Sequence, residues 1–161
     1  MPLLVELFSG TGSIGRAFRQ KGWDVFAVDL NPKAAADLHI DVLELTPAML
    51  PAHIDAIWAS PPCTHYSRAR TKAKTPRDLT GSDKLVQQVL DLVAHYGVPF
   101  FMENPHSGLL KNGRWSKESP CKWWTTVGTE QSIANELQFG QTPRGNLQGL
   151  CAIATVQAAT A

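Results

Sequence analysis

Leu3-Leu4-Val5-Glu6-Leu7-Phe8-Ser9-Gly10-Thr11-Gly12 is the stretch whose reading decides the fold. Leu3 to Leu7 is a short, mainly apolar run, the mark of a strand buried on both faces of a sheet. It ends in a glycine turn, and residues 13–21 read as a helix that Gly22 stops as a C-terminal cap does. The glycines let backbone approach a ligand where a side chain would collide. Taken alone, the turn fits either a nucleotide-like ligand or a tight connection with no further role.

The elements beyond it repeat the same alternation. Residues 24–29 form a second strand, apolar at Val25, Phe26, Ala27 and Val28 and ending in an acid. Asn31-Pro32 is expected to open a second helix running through Leu38, because proline suits a first helical turn. Residues 54–59 are an apolar strand that runs into Ser60-Pro61-Pro62-Cys63. Residues 64–81 are polar and basic and read as a long loop. Residues 83–96 follow as an amphipathic helix, with Leu85, Val89, Leu92, Val93 and Tyr96 at helical spacing. Residues 99–103 form a further strand before Asn104-Pro105. The order predicts an α/β fold, a mostly parallel sheet with helices on both faces. In such sheets ligands bind beyond the C-terminal ends of the strands, where each polar residue singled out below lies.

Asp29 ends the second strand about twenty residues past the turn, placed to accept hydrogen bonds from ribose hydroxyls. Turn and acid together point to an adenosine-containing ligand and leave a nicotinamide dinucleotide and S-adenosylmethionine both open. Asp41 is either an acceptor for an adenine amino group or a surface acid before a turn. Cys63 is more specific. A lone cysteine is usually a small core residue, but two prolines fix the backbone before this one and hold it at the mouth of the sheet. A thiolate there is a strong nucleophile. Glu103 ends the next strand after Phe100-Phe101-Met102, where partial desolvation would help it hold or share a proton. The alternative, an ordinary strand-end acid, loses weight through the pairing with Cys63.

Arg68, Arg70, Lys72, Lys74 and Arg77 put five cations into ten residues with no acid among them. Such a run is either a solvated loop or a set of phosphate contacts, which give salt-dependent affinity without sequence choice. The chain as a whole is nearly neutral, at +1, so nucleic-acid binding would rest on this local patch. Its 43% apolar and 18% charged residues are ordinary for a soluble globular domain. The cysteines at 63, 121 and 151 show no CxxC spacing, which argues against a zinc site, or any other metal, and against a disulfide framework. With no signal peptide or long apolar run, the expected location is the cytoplasm, away from membranes.

Glu6-Leu7-Phe8-Ser9-Gly10-Thr11-Gly12, Asp29, Pro61-Pro62-Cys63 and Glu103-Asn104-Pro105 together resemble the ordered motif set of the DNA (cytosine-5)-methyltransferases, most closely the short phage-type members. The resemblance covers about the first 105 residues. It implies a Rossmann-like methyltransferase fold with S-adenosyl-L-methionine as cofactor. Phe8, Gly10, Gly12 and Asp29 would line the cofactor site, with Asp41 nearby and Pro61 between cofactor and base. Cys63 would add to carbon 6 of cytosine while Glu103 protonates or hydrogen-bonds ring nitrogen 3, in covalent catalysis of methyl transfer to carbon 5. The substrate would be double-stranded DNA with the target cytosine flipped out. A relative that binds without turnover, or one that methylates RNA, is the alternative.

The domain expectation is a catalytic core over residues 1–121 and an atypical tail over 122–161. The tail carries Lys122, Glu130, Glu136 and Arg144 as its only charges, and its last sixteen residues have none. The likeness fades there. Back-translated in a shifted frame, residues 133–142 permit Arg-Lys-Arg-Thr-Pro-Ile-Trp-Thr-Asn, similar to a stretch of the phage-type family, so the tail reads as an out-of-frame segment.

Overall fold

The structure is a computed structural model that describes residues 1–67 and 73–104, together with the backbone of 151–154. Its strands are β1 (Leu3–Leu7), β2 (Asp24–Asp29), β3 (Leu38–His39), β4 (Ala56–Ala59), β5 (Phe100–Glu103) and β6 (Cys151–Ala154). They form one sheet in the order β3-β2-β1-β4-β5-β6, and every pairing is parallel. Val5 of β1 lies between Phe26 of β2 and Ile57 of β4. The chain thus builds outward in one direction from β1 and then, from β4, in the other. That reversal is the switch point where a parallel sheet opens a crevice.

Side chains of a strand alternate between faces, and the two faces here are covered by different helices. Helix α1 (Ser13–Arg19) sets Ile14 and Phe18 against Leu4, Ala56 and Trp58. Trp58 stacks on Phe101 with ring centroids 5.8 Å apart, and Phe18 meets Trp23 edge-on at 5.3 Å. Glu6 is buried, and a Cβ at position 15 of α1 would collide with its Oε2, so Gly15 lets the helix close on the strand. On the other face, helix α2 (Leu79–Tyr96) packs Val86, Val89, Leu90, Leu92 and Val93 with Val5, Leu7, Val28, Ile57, Ala59, Phe100 and Met102. The parallel sheet with helices on both faces is the architecture expected. Gly22, at φ 81°, follows α1 in the left-handed conformation of a stop.

The expected helix over residues 31–38 does not form. Asn31 Oδ1 accepts from Lys33 N at 3.0 Å, and Ala34 N donates to Asn31 O at 2.9 Å, closing a turn. Asp37 then exchanges two bonds with Ala27, its N donating to the carbonyl at 2.8 Å and its Oδ2 accepting from the amide at 2.8 Å. Short Asn and Asp side chains that satisfy nearby backbone compete with a helix. Here they deliver the chain into β3 instead. Helix α2 begins earlier than expected, at Leu79, because Asp78 caps it by accepting from Gly81 N at 2.8 Å. Strand β6 is an addition from the tail, pairing Glu103 with Ala154 in register.

Candidate active site

The turn after β1 is shaped by backbone conformation. Phe8, Gly10 and Gly12 all have positive φ, at 60°, 52° and 68°. For Phe8, which carries a Cβ, that conformation costs about 1–2 kcal/mol, so its surroundings must impose it. Ser9 N donates to Val28 O at 3.1 Å and Gly12 N to Ser9 O at 2.8 Å. Gly10 N donates to Asp29 Oδ2 and Asn31 N to Asp29 Oδ1, both at 2.7 Å. Asp29 therefore fixes the turn and its own strand end together. A carboxylate has about four acceptor positions, so each oxygen retains capacity for a ligand hydroxyl. Ser9 Oγ is buried and has no hydrogen-bond partner among the described residues.

Asp41 lies just past β3, whose His39 is in register with Asp29, so both acids are at the same end of the sheet. Its Oδ1 accepts from Leu43 N at 2.9 Å and caps a short 3-10 turn, Val42–Glu44. This is the turn-forming role that the sequence left open beside an adenine contact.

On the other side of the switch point, Ser60 N donates to Leu7 O at 3.2 Å and carries the β4 ladder one residue further. Pro61 is buried, Pro62 exposed and Cys63 half-buried with a free thiol. Cys63 O accepts from Tyr66 N at 3.0 Å and Ser67 N at 2.7 Å, so the cysteine opens a tight turn. One residue beyond the Ala59–Met102 pair lie Ser60, just past β4, and half-buried Glu103, the last residue of β5. The next residue, Asn104, is buried and donates from Nδ2 to Pro61 O at 3.1 Å. Its Oδ1 has no partner among the described residues. Asn104 thus ties the strand end bearing Glu103 to the segment bearing Cys63, a role for which no charge or spacing in the sequence gave a signal.

Of the basic run, Arg68, Arg70 and Lys72 lie outside the described residues, and Lys74 is exposed. Arg77 Nη1 donates to His65 O at 2.6 Å and Ser67 O at 2.9 Å, engaging the turn that Cys63 opens. Among the described residues no three His, Cys, Asp or Glu side chains could hold a metal ion, and no helix is long and apolar enough to cross a membrane.

Residues 3–116 match the family model of the C-5 cytosine-specific DNA methylases. The chain belongs to this family. It is 35% identical over 122 residues to the probable DNA (cytosine-5)-methyltransferase of Frog virus 3 (isolate Goorha). That match takes in 67% of this chain and 56% of the viral protein, so the chain spans about half the length of its curated relative. Two solved structures share the fold. One is a DNMT2 variant of Spodoptera frugiperda, with TM-score 0.51 and 24% identity over 71% of this chain and 38% of that one. The other is a putative DNA modification methyltransferase encoded within a prophage (E. coli), with TM-score 0.50 and 22% identity over 65% of this chain and 32% of that one.

Proposed function

We propose that this member of the C-5 cytosine-specific DNA methylase family transfers a methyl group from S-adenosyl-L-methionine to carbon 5 of cytosine in DNA, through a covalent bond to Cys63. The observation that carries the reading is the shared edge at the switch point. The glycine turn with Asp29 stands on one side, and the Cys63 and Glu103 strand ends, tied through Asn104 and Pro61, stand on the other.

The turn's chemistry fits an adenosine-bearing cofactor. Asp29 would accept from ribose hydroxyls, the backbone of Phe8, Gly10 and Gly12 would admit the ligand closely, and buried Ser9 Oγ offers a further polar contact. Pro61 would separate cofactor from base, with Asp41 at the adenine end. When bound, the cofactor supplies the methyl group as an electrophile.

The Cys63 thiolate would add to carbon 6 of cytosine, while Glu103 shares a proton with ring nitrogen 3 and draws electron density from the ring. Carbon 5 then becomes nucleophilic enough to take the methyl group. Loss of the carbon 5 proton and departure of the thiolate from carbon 6 restore the aromatic ring and the free cysteine. A base inside a duplex cannot be reached by this thiol, so the cytosine would be extrahelical. Arg68, Arg70, Lys72 and Lys74 would contact the phosphates around it.

The test is incubation with radiolabelled S-adenosylmethionine and mixed-sequence double-stranded DNA, beside Cys63→Ala. Label should enter DNA only with the intact cysteine, while both proteins bind the cofactor alike. Label transferred by Cys63→Ala sinks the nucleophile assignment. Cofactor binding without label in the intact chain shifts the reading to a relative that binds without turnover.

A further inference from the structure

We propose that Arg77 is a positioning residue for the Cys63 turn and not a phosphate contact, an inference that rests on the reading of Cys63 as the nucleophile. Three consecutive residues after the cysteine are each bonded to the entrance of α2. His65 and Ser67 present their carbonyls to Arg77 Nη1 at 2.6 and 2.9 Å. His65 Nδ1 accepts from Asp78 N at 2.9 Å. Tyr66, fully buried, reaches Asp83 Oδ1 with its phenol at 2.7 Å. The amides of Tyr66 and Ser67 in turn hold the carbonyl of Cys63.

A continuous route of bonds therefore runs from the guanidinium to the backbone of the nucleophile. Arg77 stands at its outer end, and its donors close residues 65–67 against residue 77 across the intervening basic stretch. Bonds from a charged donor are the strong class of hydrogen bond, and moving Nη1 to a phosphate would forfeit two of them, so only Nε and Nη2 lie outside this hold on the turn. Lys74 and Arg77 are both exposed, but of the two only Arg77 bonds to the turn among the described residues. A single nitrogen makes both Arg77 bonds, so an ammonium group with three protons can replace it.

The test compares Arg77→Met, Arg77→Lys and Arg77→Gln with the intact chain. Cys63 alkylation by iodoacetamide is followed by peptide mass spectrometry without DNA or cofactor. DNA affinity is measured against salt, and kcat and KM are measured for methylation. The Met variant should change the Cys63 alkylation rate about threefold or more and lower kcat about tenfold. Its KM for DNA and its salt slope should stay unchanged, since the slope counts phosphate contacts. Lysine should restore most of both effects. An unchanged alkylation rate, or a salt slope reduced by about one ion, overturns the proposal. If the Met variant does not fold, Gln decides in its place: it removes the charge, and the same two readouts apply. A chain that transfers no label counts against the activity and not against the clasp, because alkylation is read on the free protein.

Discussion

On the β2 side of β1 the polar groups are held by backbone conformation around one carboxylate, Asp29, and on the β4 side they are held by several side chains. The glycine turn owes its shape to three positive φ angles and to amides that donate to Asp29. The Cys63 turn owes its position to Asn104 on one flank and to Arg77, His65 and Tyr66 on the other. The difference suits the tasks proposed for them. A cofactor cradle needs close approach and many amides, which backbone supplies with least bulk. A nucleophile needs one atom kept in place, which second contacts to its own backbone achieve.

The contrast can be broken most sharply at Asp29. Asp29→Ala removes the acceptor for two amides and for the proposed ribose contact, and bonds to a charged group contribute about 1.5–3 kcal/mol each. Cofactor affinity measured by titration calorimetry should fall roughly tenfold to a hundredfold, with the Cys63 alkylation rate unmoved. An affinity equal to that of the intact chain would mean that Asp29 serves the fold alone. The mirror experiment is Asn104→Ala. It leaves the buried Pro61 carbonyl without its donor, at about 1–3 kcal/mol of stability in a urea melt. Its functional loss should appear in kcat and spare cofactor affinity. Loss of cofactor affinity as large as that of Asp29→Ala would erase the division between the two halves.

The same division explains what was legible in the chain. Strands β1, β2, β4 and β5 announce themselves because burial on both faces demands apolar runs. The strand-end residues Asp29, Cys63 and Glu103 stand out against those runs. Residues 31–38 misled because Asn31-Pro32 opens turns as readily as helices, and only the bonds of Asn31 and Asp37 to nearby backbone decide between them. The start of α2 at Leu79 was hidden behind Gly81, although Asp78 three residues earlier is a regular cap. Arg77 looked like any other cation in its run. Whether a guanidinium faces solvent, phosphate or two carbonyls depends on contacts twelve and ten residues away, and composition carries no trace of those. Strand β6, in the uncharged last stretch of the tail, is too short for period to reveal.

Gly12 gives the finest test of the backbone half. It precedes α1 in the left-handed conformation, at φ 68°, and the nearest atom to an added Cβ there is Arg16 Nη1 at 4.0 Å. Space is therefore available, and Gly12→Ala meets only the conformational penalty, about 1 kcal/mol. If the turn keeps its shape, the Tm falls by a few degrees and cofactor affinity is nearly intact. If the turn relaxes instead, the Tm is spared and the affinity falls, because the Gly12 amide no longer reaches the Ser9 carbonyl and the cradle opens. Differential scanning calorimetry beside cofactor titration separates the two. The first outcome is expected, since Ser9, Gly10 and Asn31 remain tied to β2 by their own amides.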